Sequence, residues 1–146
     1  MRTLILIDSN RDDLQFMKEA ISSVDPDIQS LSFIYAEEAM KALCHDLVVK
    51  PDTIFINISM PAKTGVKCFL ELRNMETFND VPIIVYAPKI TSEIVESLKD
   101  SGATMTFEKP ATIRGWKDAM NEMLNSVYNA DTNRYVEAYE SQLTSR

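Results

Sequence analysis

Five short apolar runs, at residues 4–7, 28–33, 53–56, 83–86 and 104–107, alternate with longer stretches whose apolar residues recur every three or four positions. The runs have the length and the Ile/Val content of strands. The stretches between them, 12–22, 37–47, 66–73, 92–100 and 113–127, have the period of helices, so the chain reads as five successive βα units. Four of the runs lack strict in–out alternation, which predicts strands covered by helices on both faces. The second alternates Ile28, Ser30 and Ser32 against Gln29, Leu31 and Phe33, which predicts an edge strand. In the last helix Ile113, Trp116, Met120, Met123, Leu124 and Val127 form one apolar stripe directed at the core. Asp25-Pro26, Lys50-Pro51, Val81-Pro82 and Ser101-Gly102 all fall between elements, as breakers should. The pattern predicts an α/β fold with one parallel sheet between two helical layers.

Composition narrows the functional classes. The 146 residues suit one domain, and 45% hydrophobic with 25% charged residues is the balance of a globular protein. Fifteen Lys and Arg against 22 Asp and Glu give a formal charge of -7, without any basic cluster, which argues against nucleic acid as a partner. No apolar run approaches the roughly 20 residues that span a bilayer. Asp8 ends the first run before it reaches the length of a signal-peptide core, so a cytoplasmic location is expected. Cys44 and Cys68 lack CxxC spacing, and His45 has no second metal-ligand type nearby. Both thiols read as reduced and structural, and neither a zinc site nor a Cys/His nucleophile is expected. Lys63-Thr64-Gly65 lacks the surrounding glycine pattern of a phosphate loop.

A parallel sheet of this kind places ligands beyond the carboxyl ends of its strands. The positions to inspect are therefore Asp8 and Ser9, Asn57, Ala87, and Lys109-Pro110. With Leu4–Ile7 before Asp8, Met60-Pro61 and Gly65 after Asn57, the run 81–85, and Gly102-Ala103 before Lys109, the chain from about residue 1 to 127 resembles the receiver domain of two-component response regulators. The resemblance implies a doubly wound, flavodoxin-like (βα)5 sandwich with strand order 2-1-3-4-5. It also implies phosphoryl transfer to an aspartate ending the third strand, with magnesium held by acidic residues after the first. A lysine, a hydroxyl after the fourth strand and an aromatic residue on the fifth complete the family's set.

The chain departs from that set at several positions. Asn57 stands at the acceptor position, and a carboxamide is a very poor nucleophile. Ser9 replaces the second acidic residue, Ala87 the hydroxyl and Thr106 the aromatic. Asp8 and Lys109 remain and sum to zero charge, so magnesium binding is expected to be weak or absent, with Asp8 its one residual ligand. Lys109 is expected to pair with Asp8 or to bond the carboxamide oxygen of Asn57. The pair Asp12-Asp13 is read as first-turn residues that meet the helix dipole rather than as a displaced acidic pair.

Beyond residue 127, Tyr135, Val136, Tyr139 and Leu143 share one helical face, predicting a short C-terminal helix within an extension of residues 128–146. It either docks on the domain or forms a contact surface for a partner or second copy. The leading reading is a single-domain receiver, not an enzyme, that acts by phosphorylation-independent binding. Its partner would be a histidine kinase, a downstream effector or another copy of itself. The resemblance places the contact face at residues 91–99, 104–107 and 113–117. Two alternatives stay open: phosphorylation at Ser9, Ser59 or a deamidated Asn57, and sensing of a small ligand in the altered pocket.

Overall fold

A computed structural model describes residues 2–46 and 50–129. Five parallel strands, β1 (Thr3–Ile7), β2 (Gln29–Phe33), β3 (Thr53–Asn57), β4 (Ile83–Ala87) and β5 (Met105–Glu108), form one sheet in the order β2-β1-β3-β4-β5. Between and after them run α1 (Arg11–Val24), α2 (Ala36–Lys41), α3 (Thr64–Asn74), α4 (Ser92–Asp100) and α5 (Ile113–Asn129). This is the doubly wound fold that the resemblance implied, with β2 at an edge as its alternation predicted. Among the described residues no helix is long and apolar enough to cross a membrane.

Side-chain alternation along the strands splits the core in two. Ile5, Ile7, Ile54, Ile56, Ile83 and Val85 face α2, α3 and α4, where Ala39, Cys68, Phe69, Leu72 and Leu98 meet them. Leu4, Leu6, Phe55, Ile84 and Tyr86 face α1 and α5, against Met17, Ile21, Trp116, Met120 and Leu124. All five central-strand positions of β3 and of β4 are buried, which is why those runs carry no polar alternation.

Several boundaries differ from the pattern for local reasons. The fifth strand begins at Met105, because the Thr104 hydroxyl accepts from the Ile83 N–H at 3.0 Å and closes the entry to β4 instead. Ile28 lies outside β2 because its N–H bonds Asp25 O in the preceding turn. The second helix is α-helical only to Lys41 and widens to a π-helical turn over Ala42–Asp46, with Leu47 outside the described residues. Ile113 leaves the expected core stripe: it begins α5 beyond the sheet edge and is 49% exposed, whereas Trp116, Met120, Met123, Leu124 and Val127 are buried. α5 runs on to Asn129, and buried Tyr128 bonds the Thr53 hydroxyl at 3.0 Å under the sheet. The tail residues Tyr135, Val136, Tyr139 and Leu143 lie outside the described residues.

The two cysteines separate in chemistry. Cys68 is buried in α3, and desolvation pushes its thiol up to about 12. Cys44 is not part of the core: it is exposed on the π-helical turn, its thiol 3.9 Å from the Met75 sulfur. Thiol chemistry requires the thiolate and access. Native protein titrated with Ellman's reagent is therefore expected to release one fast equivalent, lost in Cys44→Ser, with the second appearing only on denaturation. Two fast equivalents from the native chain would contradict this burial of Cys68.

Candidate functional site

At the carboxyl edge of the sheet the chain builds one closed polar network around Asp8, which is fully buried. Its backbone N–H continues the ladder to Phe33 O, so the side chain projects just beyond β1. Oδ1 accepts from the Asn10 N–H and from Asn57 Nδ2, each at 3.0 Å. Oδ2 accepts from the Tyr86 hydroxyl at 3.0 Å and meets Lys109 Nζ at 2.9 Å. An ionised carboxylate has about four lone-pair sites. Three hydrogen bonds and the ion pair to Lys109 engage both of its oxygens.

Asn57 ends β3 with 3% exposure, and both ends of its carboxamide are engaged. Nδ2 donates to Asp8, while Oδ1 accepts from the Ser59 N–H at 2.8 Å. The two partners also fix which end is nitrogen, since Asp8 can only accept and the Ser59 amide can only donate. Behind it, a Cβ on Gly65 would stand 2.0 Å from Asn57 O, so only glycine lets α3 start this close to β3.

Lys109 follows β5 and is held by its own N–H to Ala87 O at 2.8 Å. Its ammonium bridges Asp8 Oδ2 and Asp13 Oδ2, at 2.9 and 2.7 Å. The reading of Asp13 as a dipole residue alone is thus incomplete. Asn10 caps α1 by accepting from the Asp13 N–H, and helical side chains tilt toward the N-terminus, so the Asp13 carboxylate turns back to the sheet edge. With Asp13 included, Asp8, Asp13 and Lys109 sum to one negative charge, not zero.

Tyr86 is the residue that the sequence did not single out for this site. It is fully buried, with its ring stacked on Phe107 at 4.9 Å and edge-on to Trp116 at 6.2 Å. Burial, followed by the charge of Asp8, holds its phenol well above the usual range, so the hydroxyl stays a donor. Lys109 Nζ lies 5.7 Å from the same ring, within cation–π range. The available signal was a tyrosine inside an otherwise aliphatic strand: a hydroxyl buried there needs a polar partner.

The structure therefore brings together Asp8, Asn57 and Lys109, adding Asp13, Tyr86 and Asn10. Ser59 contributes its backbone N–H and exposes its side chain. Ser9 is exposed and faces a neighbouring groove. Ala87 is a buried methyl whose carbonyl anchors Lys109. Thr106 is half-buried on β5 and, by strand alternation, lies on the sheet face opposite Phe107.

The family model described as the response regulator receiver domain matches residues 4–121. Among curated proteins, the chain is 27% identical over 133 residues to "Protein-glutamate methylesterase/protein-glutamine glutaminase 1" of Methanospirillum hungatei, covering 87% of this chain and 37% of that protein. It is 30% identical over 59 residues to "Stress response regulator protein 1" of Candida tropicalis, covering 40% of this chain and 22% of that one. The chain thus spans well under half the length of these relatives. Among solved structures, the phosphorylated cyanobacterial phytochrome response regulator RcpA superposes with a TM-score of 0.79 at 17% identity, covering 88% of this chain and 95% of that one. The chemotaxis response regulator CheY4 of Vibrio cholerae gives 0.72 at 19% identity, covering 87% and 98%. At these identities the structures establish the fold.

Proposed function

The chain belongs to the response regulator receiver domain family, and from that premise we propose that it serves two-component signalling as a binding module whose Asn57 accepts no phosphoryl group. The observation that carries this reading is the closed network itself. The residue at the acceptor position is a buried carboxamide with both ends bonded, to Asp8 and to the Ser59 amide. A carboxamide nitrogen, its lone pair delocalised into the carbonyl, offers no nucleophile of the kind a carboxylate provides. The usual spontaneous deamidation runs through attack of the following backbone nitrogen on the side-chain carbon. In this fold that group, the Ile58 N–H, donates to Tyr86 O at 2.9 Å.

The donor set is also a poor match for the divalent cation that receivers employ. Magnesium requires free, hard oxygen ligands in an octahedron. Both oxygens of Asp8 are already engaged by three hydrogen bonds and an ion pair, Asn57 turns its N–H end to Asp8, and the Lys109 ammonium stands between Asp8 and Asp13. Lysine takes the electrostatic place of a cation, so the role proposed here needs neither metal nor chemistry. The contact is with a protein of the same signalling system, a histidine kinase or a downstream effector. Catalysis is not part of this reading; the methylesterase name belongs to a relative of whose length the match covers 37%.

Incubation with magnesium and acetyl phosphate, followed by intact-mass measurement beside an Asn57→Asp variant, tests the proposal. The native chain is expected to gain no phosphoryl group. An adduct on it would overturn the reading. An adduct on the variant alone would place the whole block at Asn57; none on either would add the Lys109 bridge to it.

A further inference from the structure

A groove of about 470 Å³ opens beside the closed network, between the loop that enters α2 and the loop that enters α3. Its apolar walls are Ile34, Tyr35 and Ala36 on one side and Met60, Pro61 and Ala62 on the other, and the exposed Ser9 also lines it. Tyr35 is 60% exposed, the highest value among the large hydrophobic residues described as exposed. Glu37 and Glu38 line the same groove, both exposed, and among the described residues neither joins an ion pair. Lys63, next to the second wall, does not line it.

Ser9 and the second wall are tied to the network. Ser9 lies between Asp8 and Asn10, whose N–H bonds Asp8 Oδ1; Met60 follows Ser59, whose N–H bonds Asn57 Oδ1; and Asn57 Nδ2 ties the two halves together at 3.0 Å. Ala62 in the second wall, at φ 55, and the adjoining Lys63, at φ 56, hold left-handed conformations that cost a non-glycine residue roughly 1 kcal/mol or more. A groove kept open by bonds already made loses little entropy on binding. A size of this order suits one large side chain with part of its neighbour.

Resting on the binding role proposed above, we infer that the groove between residues 34–38 and 60–64 docks a partner segment that places an apolar side chain between Tyr35 and Met60 and a cationic one against Glu37 and Glu38. The apolar walls supply the anchor, and the two carboxylates, which stand in the first turn of α2 and join no ion pair among the described residues, select a Lys or Arg beside it rather than an acidic residue.

The probes are N-acetyl-leucyl-arginine amide and N-acetyl-leucyl-glutamate amide, titrated to millimolar concentration into the 15N-labelled chain while its backbone amide shifts are followed. The arginine probe is expected to move amides of residues 34–38 and 60–64 in a saturable, salt-sensitive way, and the glutamate probe is not. Tyr35→Ser and the pair Glu37→Lys/Glu38→Lys, all at exposed positions, should keep the native spectrum elsewhere and lose the response. Equal response to both probes, response outside the groove, no response, or full response in the variants would each overturn the inference. A phosphoryl adduct on the native protein, read separately by mass, would sink the functional reading without touching this result.

Discussion

Asp8→Ala is expected to destabilise the protein by about 4 kcal/mol, a large part of the roughly 5–15 kcal/mol that holds a domain together. The aspartate is fully buried, accepts hydrogen bonds from three groups and pairs with Lys109. Alanine leaves the Tyr86 hydroxyl, Asn57 Nδ2 and the Asn10 N–H facing a small void, and each unsatisfied donor costs about 1–3 kcal/mol unless water enters. Lys109 keeps Asp13 at 2.7 Å, which limits the loss. Asp8→Asn should fall between: one acceptor oxygen remains, but its NH2 points at donors on whichever side it lies. Urea unfolding reads the difference as a shift in midpoint at unchanged slope. An Asp8→Ala variant within about 1 kcal/mol of the native protein would show that the network contributes no such stability. A double variant with Tyr86→Phe should cost less than the sum of the two single changes, because the orphaned hydroxyl is then absent.

The legible parts of this fold were those written in local pattern. Strand and helix periods sufficed for all five units, because β3 and β4 are buried on both faces and α1 and α5 each bury one stripe. The positions after the strands located Asp8, Asn57 and Lys109, because a parallel sheet brings its carboxyl ends to one edge. Asp13 and Tyr86 were not legible for the opposite reason. The Lys109–Asp13 contact spans 96 positions of sequence and depends on the angle at which Asn10 starts α1. The Tyr86–Asp8 bond spans 78 positions and depends on the register that sets Tyr86 beside Asn57 on the next strand. A helical period says which face is buried; it does not say which first-turn carboxylate bends back over the sheet. The π-helical turn likewise has no periodic signature, since Ala42–Asp46 continues the apolar spacing of α2 with a wider pitch.

Tyr86→Phe separates the hydroxyl from the ring. The phenylalanine ring can keep the stack on Phe107 and the edge contact with Trp116, so the loss is confined to the bond with Asp8 Oδ2, at 3.0 Å, and the weaker approach to the Met17 sulfur, at 3.3 Å. A hydrogen bond to a charged group is worth about 1.5–3 kcal/mol, so the variant should be less stable by about 2 kcal/mol at neutral pH. The deficit should also depend on pH. Burial and the Asp8 charge keep the folded phenol protonated well above the range in which an unfolded tyrosine ionises, near pH 10. Above that pH the unfolded chain releases a proton that the folded chain retains, so the folded state binds more protons and the stability it draws from Tyr86 falls as pH rises. The fall is about 1.4 kcal/mol per pH unit, and the phenylalanine variant does not share it. The remaining ionisable groups are common to both proteins and largely cancel in the difference. Urea midpoints of the two proteins, measured from pH 8 to pH 11, should therefore converge as pH passes about 10. A gap that stays constant across that range would mean that the Tyr86 hydroxyl is not held as a buried donor to Asp8.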